Sequence, residues 1–175
     1  MTPLLITAAV VLLLALSLLA ASVHLVQQYE QGVVLRFGRL QPHLRPPGLQ
    51  LIVPIADRMT KVSMQTVVMG IPAQGAITKD NVTLTVDAVV YYRVIDPVKA
   101  IINVQNYPMA VSQVAQTSLR SVIGRADLDT LLSDRESINA ELKAVIDAPT
   151  EEPWGLHIER VEVCLLYTSP SPRDS

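Results

Sequence analysis

The feature that most constrains this chain is an apolar run near its amino terminus, from Leu4 to Val23. No Asp, Glu, Lys or Arg precedes Glu30. A helix of this length rises about 30 Å, which matches the hydrocarbon thickness of a bilayer. Such a helix satisfies its own backbone hydrogen bonds in lipid, and the hydroxyls of Thr7, Ser17 and Ser22 can bond back to the preceding turn. The run predicts a membrane-spanning anchor.

We assign residues 1–26 to this anchor and expect its side chains to contact lipid, for example those of Leu4, Leu12, Leu19 and Val23. A cleaved signal peptide would have a basic start and a shorter apolar core, although residues 20–22 could serve as a cleavage site. A buried helix of a soluble protein would carry a polar face, which this run lacks. A retained, single-pass anchor in the cell membrane is therefore the preferred interpretation.

The charges that flank the anchor predict its orientation. Arg36, Arg39 and Arg45 follow the anchor, whereas only the amino terminus precedes it. Positively charged flanks stay preferentially on the cytoplasmic side. We therefore expect the main domain to lie in the cytoplasm.

Length and composition limit the number of domains and exclude some kinds of partner and site. With 175 residues, the chain has room for the anchor and one domain of moderate size. A net charge of -2 gives no indication of a nucleic-acid partner. A single Cys excludes an internal disulfide framework and a Cys-rich zinc site.

The last twelve residues, 164–175, differ in composition from what precedes them. They read as the translation of the end sequence of a transposon-based sequencing adapter. We interpret them as a library artefact and exclude them from fold reasoning. The alternative is a genuine Pro/Ser-rich tail. On the artefact interpretation, the only Cys is not native and the natural protein continues beyond Val163.

Between these ends, the pattern predicts strands first and helices later. The longest alternating run is Val82–Val94, which follows the turn formers at 79–81. We also predict extended segments at 26–40, 49–53, 61–71 and 154–163. This order predicts an α+β domain over residues 27–163, an antiparallel sheet with helices packed on one face.

The predicted helices begin at recognisable caps. Asp96 precedes Pro97 and caps a short helix to Val104, and a longer helix follows over 108–123. Ser133 and Glu136 fit a capping box that opens another helix. We expect Pro149 to end that helix.

The sequence contains no catalytic set, and we predict neither a cofactor nor a metal. His24, His43 and His157 are far apart and fall on different predicted elements. The acidic residues at 127, 129, 134 and 136 are explained by helix capping and solvation. We find neither a phosphate-binding loop nor a nucleophile elbow.

The apolar segment 49–55 has two interpretations. The first is a buried strand. The second is that this end of the domain dips into the bilayer interface beside the anchor, with Arg45 and Arg58 at the headgroups. The residues of this possible interfacial contact are Leu49, Leu51, Ile52 and Val53.

Several segments together resemble the stomatin/prohibitin/flotillin family, whose domain is called SPFH or band seven. The similar stretches are 30–39, 47–49, 54–57, 77–82, 90–100, 118–124, 128–136 and 153–163, in that order. They are most similar to the prokaryotic stomatin-like proteins, the slipins. The segment 147–153 is slightly longer than the family's usual approach to Pro-Trp-Gly.

The resemblance implies a non-enzymatic, membrane-attached scaffold that forms homo-oligomers and organises membrane microdomains or partner membrane proteins. Slipins are often associated with an NfeD-type membrane serine protease, so such a protease is an expected partner besides the bilayer itself. The alternative function is a regulatory subunit of a membrane protease complex. Family members continue into an Ala/Glu-rich helical segment that drives assembly, and it would begin where the adapter-like residues stand.

Overall fold

The computed structural model describes residues 2–41, 43–53 and 56–166. The chain divides into two compact units, the first ending at Met64 and the second beginning at Gln65. The predicted α+β class is confirmed, with antiparallel strands in both units. Residues 167–175 of the adapter-like tail lie outside the described residues.

The first unit begins with the long helix α1 (Thr2–Ser22) and continues into five short strands. The strands are β1 (Val23–Val26), β2 (Glu30–Arg36), β3 (Arg39–Leu40), β4 (Gly48–Leu51) and β5 (Asp57–Ser63). β1 pairs with β4, and β2 lies between β3 and β5. A small aliphatic core of Val26, Val33, Val34, Ile52 and Val62 holds these strands together.

The second unit is built on a three-stranded antiparallel sheet in the order β6 (Val67–Ile77), β7 (Thr83–Val94) and β8 (Leu156–Leu166). The central strand β7 alternates as the sequence predicts. Its inward side chains are buried, and they are Leu84, Val86, Ala88, Val90, Tyr92 and Val94. The period of two thus places one whole face of β7 in the core.

Four helices lie between β7 and β8: α2 (Pro97–Ile102), α3 (Tyr107–Arg125), α4 (Leu128–Ser133) and α5 (Arg135–Trp154). Helix α3 packs on β6 and β7, α5 packs on β8, and the two helices contact each other. The predicted cap at Asp96 is confirmed, because its carboxylate accepts the N–H groups of Val98 and Lys99 at 3.1 and 3.2 Å.

Two predicted helix boundaries are wrong. Helix α5 is capped by Asp134, whose carboxylate accepts the Ser137 N–H, whereas Ser133 belongs to α4. The same helix continues through Pro149 to Trp154. The Thr150 hydroxyl donates to the carbonyls of Ile146 and Asp147. Side chains of α2 and of the residue after it donate to the carbonyls of Glu152 and Pro153. These local and tertiary hydrogen bonds outweigh the helix-breaking tendency of the proline.

The predicted strand 61–71 is also divided differently. It spans the end of β5 and the start of β6, which belong to different units. Residues 64–66 separate the two strands. The alternation continues across this break, so periodicity alone could not reveal it.

Candidate membrane-contact surface

Among the residues the structure describes, one helix is long and apolar enough to span a membrane, Pro3–Ser22, with a mean hydropathy of 2.8. Its large side chains face outward, including those of Leu4, Leu12 and Leu19. The hydroxyls of Thr7 and Ser17 donate to the carbonyls of Leu4 and Leu14, as the sequence predicts. The helix therefore presents apolar atoms on every side and satisfies its own polar groups.

The end of α1 is tied to the strand region that follows it. The Ser22 hydroxyl donates to the Ile52 carbonyl, and the Ile52 N–H donates back to the Ser22 carbonyl at 2.9 Å. The sequence predicts that the Ser22 hydroxyl bonds back to its own helix, and the structure gives it this distant partner instead. This pair of hydrogen bonds fixes the exit of the helix against the end of β4.

An exposed apolar face lies directly beyond this junction. In the β1–β4 ribbon, Val23 pairs with Leu51 and Leu25 pairs with Leu49. Paired residues and residues two apart share one face of a sheet. We call this surface the ribbon face and define it by Val23, Leu25, Leu49, Leu51 and Val53, whose exposed fractions lie between 46% and 74%.

The opposite side of the ribbon explains which of the expected interfacial residues are exposed. Val26 and Ile52 are 2% and 3% exposed, and they belong to the core of the first unit. Alternation thus directs residues 49, 51 and 53 outward and residue 52 inward. Ile52 is therefore buried rather than in contact with lipid, and residues 49–53 do not form a strand that is buried throughout. Residues 54 and 55 of the segment lie outside the described residues.

The structure also differs from the prediction at Val23. The sequence places it at the end of the anchor helix, whereas in the structure it begins β1. Leu25 was likewise assigned to the anchor, whereas in the structure it lies in β1 and belongs to the ribbon face. The signal that could have identified it is the match between two short alternating stretches, 23–26 and 48–53, which together form one ribbon.

An ion pair links β2 to β5 next to the end of the ribbon face. Arg36 on β2 donates to both carboxylate oxygens of Asp57 on β5, at 2.7 and 3.0 Å. One of these oxygens also lies 3.5 Å from the Val53 nitrogen, and the Asp57 N–H donates to the Val53 carbonyl at 2.9 Å. Asp57 therefore connects the three-stranded sheet to the last residue of the ribbon face.

The same contacts shift the protonation of Asp57. The hydrogen bond from Arg36 holds the pKa of the Asp57 carboxyl below its ordinary value, and burial opposes this effect. The Val53 N–H and the charge of Arg45 also lower the pKa. A lowered folded-state pKa means that the ionised carboxylate stabilises the folded state above the unfolded pKa, and that this contribution is lost as pH falls through the folded value.

We therefore expect Asp57→Asn to destabilise the first unit at pH 7, and we expect this effect to shrink as pH falls below about 3.9, the ordinary pKa of an Asp carboxyl. The measurement is amide hydrogen exchange of β2 and β5, with the two proteins compared at each pH. Arg93→Gln, which breaks an exposed ion pair with Glu159 in the second unit, is the control and should leave these strands unchanged. A difference between the two proteins that stays constant as pH falls would contradict the assignment.

Comparisons with known proteins identify the sequences that this chain resembles. The model of the SPFH domain / Band 7 family matches residues 24–171. A stomatin homolog of Pyrococcus horikoshii is 48% identical over 154 residues, which cover 88% of this chain and 57% of the relative. Stomatin of Mus musculus is 42% identical over 142 residues, covering 81% and 50%. Stomatin-1 of Caenorhabditis elegans is 40% identical over 141 residues, covering 81% and 42%.

The chain therefore spans about half the length of the curated relatives that it matches. The family match covers most of the chain, beginning after α1 and extending over the strands of both units. By this match and these identities, the chain belongs to the SPFH domain / Band 7 family as a stomatin-like member.

Proposed function

We propose that this protein is a non-enzymatic, membrane-anchored scaffold whose first unit lies in the bilayer interface. The observation that carries the proposal is the ribbon face, which begins at the residue after the apolar helix ends. A spanning helix alone would need no apolar surface beyond it. Five exposed aliphatic side chains on one face at this position are best satisfied by lipid.

The dimensions support this arrangement. Helix α1 has 21 residues, and at about 1.5 Å per residue its length matches the hydrocarbon core. Leu25 lies two residues beyond the start of β1, or about 7 Å along the strand. The interfacial zone is about 5–10 Å deep, so the ribbon face would reach it without stretching the chain.

The energetic gain is substantial for so small a surface. Full burial of one leucine side chain contributes about 1.5–3 kcal/mol. Leu25, Leu49 and Leu51 are each at least 60% exposed in the isolated chain. Partial insertion of these three side chains would hold the first unit against the bilayer in addition to the anchor.

Oligomerisation, organisation of membrane microdomains and partnership with an NfeD-type membrane serine protease follow from the family resemblance and stay part of the proposal. The alternative, a regulatory subunit of a membrane protease complex, could place the main domain on the periplasmic side. The orientation of the second unit therefore distinguishes the two functions. The arginines after the anchor favour the cytoplasm.

The test is a reporter fused after Val163 and expressed in a bacterial host. We expect a green fluorescent protein fusion to fluoresce at the membrane, because the positive-inside rule retains the main domain in the cytoplasm. The matched alkaline phosphatase fusion should be inactive, since that enzyme needs the periplasm to form its disulfides.

Active phosphatase with a dark fluorescent fusion would contradict the cytoplasmic scaffold and favour the alternative. Assembly has its own readout in the same experiment. The fluorescent fusion on a chain that carries the family's downstream helical segment should bleach in many steps per spot. Single-step bleaching of that longer chain would contradict a scaffold that oligomerises.

A further inference from the structure

The second unit contains a cluster of three potential metal ligands on two adjoining elements. Asp147 and Glu151 lie one turn apart near the end of α5, and His157 lies near the start of β8. One ligand atom from each side chain lies within 4.8 Å of the other two. None of the three residues contributes to the membrane surface described above.

The backbone holds this cluster in place. Gly155 adopts a left-handed conformation, with φ +65°, and ends α5. The chain then turns so that the Ile158 N–H donates to Asp147 Oδ1 at 2.9 Å. The last carbonyls of α5 are held by Lys99, which donates to the Glu152 carbonyl, and by Asn103, which donates to that of Pro153. The three side chains therefore project from a fixed framework.

The distances between the ligand atoms can be compared with those around a bound metal ion. His157 Nδ1 lies 3.6 Å from Asp147 Oδ1 and 3.9 Å from Glu151 Oε1. Both distances are longer than a hydrogen bond, which extends to about 3.2 Å. Two ligands about 2.1 Å from one tetrahedral ion lie about 3.4 Å apart. A small adjustment of side chains that are 20% to 48% exposed would bring all three to that spacing.

We propose that Asp147, Glu151 and His157 bind a divalent transition-metal ion such as Zn²⁺. Neutral imidazole together with two carboxylates is a ligand set that suits Zn²⁺, and three protein ligands leave a fourth position for water. Mg²⁺ and Ca²⁺ prefer six or more oxygen ligands, so this set discriminates against them. The bound ion joins the end of α5 to the start of β8.

The test is calorimetric titration of the chain in lipid nanodiscs with ZnCl₂, in a Cys164→Ser background that removes the exposed thiol. We expect one Zn²⁺ site per chain and at least tenfold weaker binding in His157→Gln and in Glu151→Gln. Glu151 is 48% exposed, so its replacement tests the site without risk to the fold. Mg²⁺ at the same concentration should give no comparable binding.

Two matched controls keep the result specific. His24→Gln removes a histidine from the exposed part of β1, and Glu152→Gln removes the adjacent carboxylate on α5. Neither change should alter Zn²⁺ affinity, and Co²⁺ should give a visible absorption band that only the His157 and Glu151 variants lose. The absence of Zn²⁺ binding tighter than about 100 μM, or equal binding by the His157 and Glu151 variants, would overturn the proposal.

Discussion

Replacement of Gly155 by Ala is expected to lower the free energy of unfolding of the second unit by about 2–4 kcal/mol. Its φ of +65° disfavours any side chain, at about 1 kcal/mol. A Cβ at this position would also lie 2.6 Å from both the Cβ and the carbonyl oxygen of Asp96. Overpacking of this kind destabilises the folded state by a further ~1–3 kcal/mol.

The surroundings of Gly155 leave little room for that relief. Its carbonyl accepts the N–H groups of Ile95 and Asp96 at 2.8 and 3.0 Å. Asp96 is itself fixed as the cap of α2. Movement of either backbone would therefore break hydrogen bonds that join β7, α2 and α5.

The measurement is urea unfolding followed by circular dichroism and by the fluorescence of Trp154, the single tryptophan of the chain. Gly75→Ala is the matched control, because a Cβ at this position of β6 meets nothing within 4 Å. We expect its effect to stay within about 0.5 kcal/mol. Equal effects of the two substitutions would contradict the close approach at Gly155.

Local patterns predicted much of the second unit. The period of two in β7 identified its buried face, because a strand in an α+β domain must direct alternate side chains into the core. Asp96 followed by Pro97 identified the start of α2 for an equally local reason. Where neighbouring residues decide the structure, the sequence was sufficient.

The errors arise where distant residues decide. Lys99 and Asn103 hold the last carbonyls of α5, so the helix continues beyond Pro149 to Trp154. The inward direction of Ile52 depends on the pairing of β4 with β1, which is not visible in segment 49–55 alone. Such contacts override local propensity.

The candidate membrane surface and the candidate metal site also contain some features that neighbouring residues determine and others that distant residues determine. The apolar helix and the outward leucines of β4 follow from composition and alternation, whereas Leu25 joins them only through pairing. His157 looks isolated in the sequence, six residues after Glu151 and ten after Asp147. The left-handed turn at Gly155 brings it back over the helix end, so the cluster arises from the tertiary fold.

The second large effect is expected from the double substitution Leu49→Glu with Leu51→Glu. Both side chains are exposed, at 74% and 70%, so the folded protein should tolerate the change. Loss of their partial burial in lipid removes about 2–4 kcal/mol of interfacial binding. The ratio of docked to undocked first units should then fall by about 30-fold to 1,000-fold, although α1 still anchors the chain.

A matched control separates this effect from a general effect of added charge. Val68 is 60% exposed on β6 in the second unit, and Val68→Glu introduces the same charged group at a residue that does not belong to the ribbon face. We expect this control to leave docking unchanged. Equal losses in the control and the double variant would indicate nonspecific repulsion from the membrane.

Lipid cross-linking of the unsubstituted chain tests the central claim most directly. The chain is reconstituted in vesicles that contain a lipid with a photoactivatable group on its acyl chain close to the headgroup, and cross-linked peptides are mapped by mass spectrometry. We expect cross-links in α1 and also at residues 23–25 and 49–53, with few in β5, and the double variant should retain only those in α1. Cross-links confined to α1 in the unsubstituted chain would contradict the interfacial position of the ribbon face.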